Sequence, residues 1–128
     1  MTLLLDTQVL LWAASRPERL SPAARRLLGQ KGNALVFSAA SLWEVAIKFQ
    51  LGRHDFPFEP GGLRRELLEH GYLELAVTGQ HAETLAALPA LHKDPFDRML
   101  LAQAICEGIT LVTADEKLAR YPGPVRKV

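Results

Sequence analysis

The sequence predicts an α/β domain built on a mostly parallel sheet, and three observations lead there. Apolar runs rich in branched residues recur at Leu3 to Leu5, Leu35 to Phe37, Leu73 to Val77 and Ile109 to Val112. Helix-period segments fill the intervals between them, and that alternation is the mark of strands joined by crossover helices. The length, 128 residues, suits one core and is too short for two ordinary ones, so residues 1–128 are read as a single domain.

The elements follow in chain order. The first run is followed by a helix from Thr7 that carries Val9, Leu10 and Trp12. Ser21-Pro22 reads as an N-cap with proline at the first helical position, and Gly29 or Gly32 can close that helix. The second run leads into a helix from Ser38 or Ala39. The stretch Gly52 to Gly62, with Pro57, Pro60 and paired glycines, reads as a surface loop, and a helix is expected from about Gly61. Further helices are expected from Thr78 and from Pro95, and a short one after Asp115. Val125 to Val128 supply a last short strand. No repeat or low-complexity segment interrupts this order.

Composition narrows the class. A net charge of +1 gives the whole molecule no bulk affinity for polyanions. The lone Cys106 cannot form an intrachain disulfide and lies in an apolar-periodic stretch, so it is expected to be a buried thiol. No apolar run approaches the roughly 20 residues of a spanning helix, and the N-terminus lacks a basic region before its apolar run. A cytoplasmic protein without membrane association is the expectation.

Four acidic residues stand where the apolar pattern makes a carboxylate out of character. Asp6 ends the first run, and it is read either as the N-cap of the next helix or as a site residue. Glu44 rides a helix whose other faces carry Leu42, Trp43, Val45, Ala46, Ile47 and Phe49. There it is read as half of an exposed Glu44 to Lys48 pair or as a group facing a cleft. In Asp94-Pro95-Phe96-Asp97, the proline makes Asp94 a natural N-cap, while Asp97 falls among Phe96, Leu100, Leu101 and Ala104 and is assigned to the site. Asp115 follows the fourth run. Thr113 and Glu116 fit a capping box there, or Thr113 orients a ligand carboxylate.

Ligands of open parallel sheets bind beyond the carboxyl ends of the strands, where Asp6 and Asp115 both fall. Carboxylates that converge repel unless a cation or proton lies between them, and all-oxygen donors suit Mg²⁺ or Mn²⁺. A metal-free site is expected to hold a water, a proton or a basic side chain in the ion's stead. With those acids sequestered, Arg16, Arg19, Arg25, Arg26, Arg53, Arg64, Arg65, Arg120, Arg126 and Lys127 leave a basic surface that would suit a phosphodiester substrate.

The chain resembles the PIN-domain ribonucleases, and within them the VapC toxins of bacterial toxin-antitoxin pairs, over nearly its whole length. The resemblance rests on Leu5-Asp6-Thr7, on Ser38-Ala39-Ala40-Ser41-Leu42-Trp43-Glu44 with Lys48, on His92-Lys93-Asp94-Pro95-Phe96-Asp97-Arg98 running into Leu101-Ala102-Gln103-Ala104, and on Leu111-Val112-Thr113-Ala114-Asp115. It implies a PIN-like three-layer α/β/α fold with a central sheet of four to five strands. It also implies that Asp6, Glu44, Asp97 and Asp115 are the catalytic quartet holding Mg²⁺ or Mn²⁺, with Thr7, Ser41 and Thr113 as polar support. An endoribonuclease with an RNA substrate, a cognate antitoxin and a homodimer follow from the same resemblance. The dimer interface is expected on the early helices, including Trp12 or Leu28.

In such a mechanism the ion would bind a nonbridging phosphate oxygen, lower the pKa of a water and stabilise the leaving 3′ oxygen. His92 is then read as a substrate contact or structural residue before a catalytic one. Two alternatives come from other classes: a catalytically idle binding module of the same fold, and a Mg²⁺-binding signalling receiver domain. The receiver reading requires an aspartate at the end of a central strand, where this chain has Ser38, and adjacent acids beside Asp6.

Overall fold

A computed structural model of the chain describes residues 1–52 and 58–128. Strand β1 (Thr2–Leu5) is followed by α1 (Thr7–Ser15), a 3-10 turn at Pro17–Arg19 and α2 (Pro22–Gly29). Then come β2 (Ala34–Ser38), α3 (Ala39–Gln50), α4 (Pro60–Glu69), β3 (Leu73–Leu75), α5 (Gly79–Ala86), α6 (Pro95–Glu107), β4 (Thr110–Thr113), α7 (Glu116–Ala119) and β5 (Val125–Lys127). Each expected strand and helix is present, and the 3-10 turn is an addition.

The five strands are parallel throughout, in the order β3-β2-β1-β4-β5. Chain order runs outward from β1 in one direction through β2 and β3, then restarts on its other side with β4, so the switch point lies between β1 and β4. This order differs from the 2-1-3-4-5 arrangement of receiver-type sheets, which removes that rival reading.

Side chains of β1 alternate between two cores. Leu3 and Leu5 pack with Val9, Leu10, Ala24, Leu27, Leu63 and Leu67 of α1, α2 and α4 on one face. Leu4 packs with Leu100, Leu101, Ala104 and Leu118 of α6 and α7 on the other. All three leucines are fully buried, as a central strand covered on both sides requires. The result is the three-layer α/β/α sandwich expected.

Local signals explain the helix starts. Ser21 Oγ accepts the Ala24 N–H at 3.0 Å ahead of Pro22, and Ser38 Oγ accepts the Ala40 N–H at 3.0 Å. Three expectations need correction. Gly61 and Gly62 belong to the first turn of α4, because Glu59 caps that turn by accepting both of their N–H groups. The rest of the expected loop, including Pro57, and Arg53 lie largely outside the described residues. Strand β3 stops at Leu75, where its pairing to Ser38 ends. Cys106 is half-buried, because its face of α6 meets α5, where its thiol lies 2.9 Å from the Thr84 hydroxyl.

Among the described residues no helix is long and apolar enough to cross a membrane.

Candidate active site

Asp6 sits where β1 hands over to α1. Its N–H still donates to the Val112 carbonyl in the sheet ladder at 3.0 Å. Its Oδ1 accepts the Val9 N–H at 2.8 Å and so caps α1, while Oδ2 accepts the hydroxyl of Thr113 from β4 next door. Both readings of Asp6 therefore hold at once. Burial pushes its carboxyl up to about 6 against those two hydrogen bonds, and Asp115 and Glu44 push the same way.

Thr113 works in two directions. It donates to Asp6 and accepts the Asp115 N–H at 3.0 Å, so one hydroxyl sets two acids. The capping box expected from Thr113 and Glu116 is not what starts α7. Asp115 is the cap, its Oδ1 accepting from Lys117 and Leu118 N–H at 2.7 and 3.2 Å, which leaves Oδ2 turned to the cleft side, 3.6 Å from His92 Nε2.

Glu44 comes from the second turn of α3, which Thr7 ties to α1 by donating to the Ser41 hydroxyl at 2.9 Å in the interior. Its Oε2 lies 3.0 Å from Lys48 Nζ. That pair lines the same cleft as Asp6, so the two readings of Glu44 merge: the ion pair exists, and it faces the site.

Asp94 caps α6 through the Phe96 and Asp97 N–H groups at 2.8 and 3.2 Å, with Pro95 at the first helical position. Asp97, one turn in, holds its Oδ2 2.8 Å from His92 Nε2. Burial raises its carboxyl to about 7, with Asp94 and Asp6 adding to the push and the contact to His92 opposing it.

The four predicted acids thus border one cleft of about 360 Å³, together with Thr7, Trp12, Lys48 and Asp94. None of the arginines singled out in the sequence lines it among the described residues; Lys48 is the cation that does. A cavity of similar size, about 390 Å³, beside Trp43 and Phe96 has no titratable group in its lining, so size alone does not locate the chemistry.

The donor set fits a divalent cation. One ligand atom each from His92, Asp97 and Asp115 lie within 4.8 Å of one another, a group that could hold a metal ion. Asp6 and Glu44 face the same cleft with oxygens already engaged by Thr113, Val9 and Lys48. His92, read from the sequence as a substrate contact or structural residue before a catalytic one, stands beside Asp97 and Asp115. Its one signal was its place on the loop entering α6, five residues ahead of Asp97. Two basic side chains, His92 and Lys48, stand against the acids.

A family profile described as PIN domain matches residues 3–124. The chain is 35% identical over 127 residues to ribonuclease VapC22 of Mycobacterium tuberculosis, covering 97% of this chain and 96% of that protein. Its fold is similar to the structure of VapBC2 from Rickettsia felis bound to a DNA fragment from their promoter, with a TM-score of 0.74, 16% identity and coverage of 100% and 99% of the two chains. It is also similar to Mycobacterium tuberculosis VapC20, described as a sarcin-ricin loop cleaving toxin, with a TM-score of 0.58, 20% identity and coverage of 91% and 92%.

Proposed function

The chain belongs to the PIN-domain family, and from that premise we propose that it is a metal-dependent endoribonuclease, the toxin of a toxin-antitoxin pair, working in the cytoplasm. The observation that carries the reading is the cleft at the switch point between β1 and β4. There Asp6, Glu44, Asp97 and Asp115 meet, with Lys48 the one cation lining the cleft among the described residues.

Mg²⁺ or Mn²⁺ held by these carboxylates would supply Lewis acidity at a phosphate oxygen and make a water nucleophilic at neutral pH. The protein's own residues prepare the site. Thr113 orients Asp6 and, through the Asp115 N–H, sets the loop that presents Asp115. Thr7 and Ser41 lock α1 to α3, which fixes Glu44 relative to Asp6. Asp94 orders the first turn of α6, and Asp97 follows from that. Lys48, on the cleft wall, offers a positive group to a phosphate.

The VapBC likenesses support a cognate antitoxin as partner and RNA as substrate. A homodimer belongs to the same reading, but its surface is better placed on α3 than on the early helices. Trp12 and Leu28 are partly buried against the core, whereas Trp43 and Phe49 of α3 are 64% and 46% exposed.

The test is RNA cleavage by the purified protein in Mg²⁺ or Mn²⁺, followed by chelation. Cleavage that stops in EDTA and returns with the ion is expected. Cleavage undiminished in excess EDTA would overturn the metal chemistry, and no cleavage with either ion would favour an idle binding module.

A further inference from the structure

The geometry points to His92 as a metal-ligating residue of this site. It would join Asp97 and Asp115 as a nitrogen ligand on the same divalent ion and tilt the site toward transition ions over Mg²⁺. The inference rests on the metal-dependent reading above and adds a ligand that the acidic quartet does not contain.

Spacing is the first argument. His92 Nε2 lies 2.8 Å from Asp97 Oδ2 and 3.6 Å from Asp115 Oδ2. Adjacent ligand atoms on an octahedral ion with bonds of roughly 2.1 Å stand about 3 Å apart, so the two distances to His92 bracket that of neighbours on one ion, and all three atoms lie within 4.8 Å of one another. Origin is the second. The donors come from the loop before α6, from its first turn and from the cap of α7, so the grouping is tertiary and not a local helical pair.

The third argument is how the ring is held. The His92 N–H donates to the hydroxyl of Tyr121 at 3.0 Å, and Tyr121 is itself buried in the core under α6 and α7. The His92 side chain is only 12% exposed. A residue anchored through its backbone by a buried tyrosine, with its ring nitrogen turned to two carboxylates, is placed for ligation beyond what one hydrogen bond to Asp97 needs.

The chemical consequence is selectivity. Carboxylate oxygens suit Mg²⁺ and Mn²⁺, whereas an imidazole nitrogen strengthens binding of the later first-row ions. Ligation through Nε2 requires the ring proton on Nδ1.

The decisive measurement needs no variant: pulsed EPR of the wild-type protein loaded with Mn²⁺, where directly bound imidazole imprints a ¹⁴N modulation. That modulation is expected, and expected to vanish in His92→Gln, which keeps an N–H donor for Asp97 but has no imidazole. Calorimetric titration of His92→Gln should show Co²⁺ affinity down about tenfold or more, with Mg²⁺ affinity changed less than about threefold. Mn²⁺ bound without nitrogen modulation, or Co²⁺ and Mg²⁺ affinities falling in parallel, would reduce His92 to a positioning residue and leave the acidic site standing. A wild-type protein that takes up no Mn²⁺ would overturn both.

Discussion

Two histidine–carboxylate contacts of nearly equal length lie in different parts of this molecule, and they differ in charge balance. Between α5 and α6, His81 is fully buried with Nε2 2.9 Å from Glu107 Oε2. Its Nδ1 accepts the Thr78 N–H at 3.0 Å, so Nε2 carries the proton and donates to Glu107. That carboxylate is 41% exposed to solvent, so its charge is not sequestered, and the contact ties α5 to α6, beside a Gln103 whose buried Oε1 has no partner among the described residues. Beside the cleft, His92 makes a 2.8 Å contact to Asp97, yet among the described residues five carboxylates (Asp6, Glu44, Asp94, Asp97 and Asp115) border that space against Lys48. A histidine–carboxylate pair is therefore no signature of chemistry by itself. Surplus like charge in a buried cleft is, because the fold spends stability to hold it.

The contrast is broken most directly at Asp97. Asp97→Asn should lower cleavage by more than the roughly 10–100-fold typical of losing a ligand's supporting partner, since on the proposed reading a ligand itself goes. Melting in EDTA should be unchanged or slightly raised, because one of the repelling carboxylates is neutralised. Near-normal cleavage by this variant would dissolve the distinction between the two clusters.

Thr113→Val keeps the shape of the side chain and removes the hydroxyl that Asp6 accepts from. A loss of roughly 10–100-fold in Mn²⁺ affinity is expected, read by calorimetry. An unchanged affinity would mean that Asp6 does not depend on Thr113 for its orientation.

The pH dependence sharpens the same contrast. Asp6, raised to about 6, and Asp97, raised to about 7, bind protons more tightly folded than unfolded. The folded state therefore holds more protons between about pH 4 and 7, and metal-free stability falls as pH rises through that window. Asp6 alone accounts for up to about 3 kcal/mol. Melting in EDTA should show a higher Tm at pH 5.5 than at pH 8, and added Mn²⁺ should raise Tm more at pH 8, where it no longer competes with protons. A metal-free Tm that climbs from pH 5.5 to 8 would contradict the surplus charge.

On the other side of the comparison, His81→Leu should cost about 1–3 kcal/mol, by stranding the Thr78 N–H. The folded fraction should keep its kcat. A large fall in kcat with unchanged melting would give the α5–α6 cluster a chemical role it is here denied. The smallest effect is expected at Asp94. Asp94→Asn retains a capping oxygen, should shift stability by less than about 0.5 kcal/mol and should leave most activity. An inactive Asp94→Asn beside an active Asp97→Asn would reverse their assignments.

Much was legible before any coordinates. Strands β1, β2 and β4 stand out as apolar runs because a central parallel strand must be apolar on both faces, and Ser21-Pro22 and Asp94-Pro95 announce their helices by local capping chemistry. Asp6 and Asp97 were visible because each interrupts an apolar pattern that its neighbours obey. These are properties of residues near in sequence, where spacing along the chain determines what a side chain meets.

What the sequence could not determine is which partners those acids meet. Thr113 reaches Asp6 because β1 and β4, 107 residues apart at that contact, pair side by side. His92 falls between Asp97 and Asp115 because Tyr121, from beyond α7, holds its backbone. Even the Glu44 to Lys48 pair, plain from its helical spacing, acquired its place in the cleft from the packing of α1 against α3 through Thr7 and Ser41. Local chemistry selects elements and caps, whereas the net charge of a site is a sum over segments that only the sheet order brings within Coulombic reach.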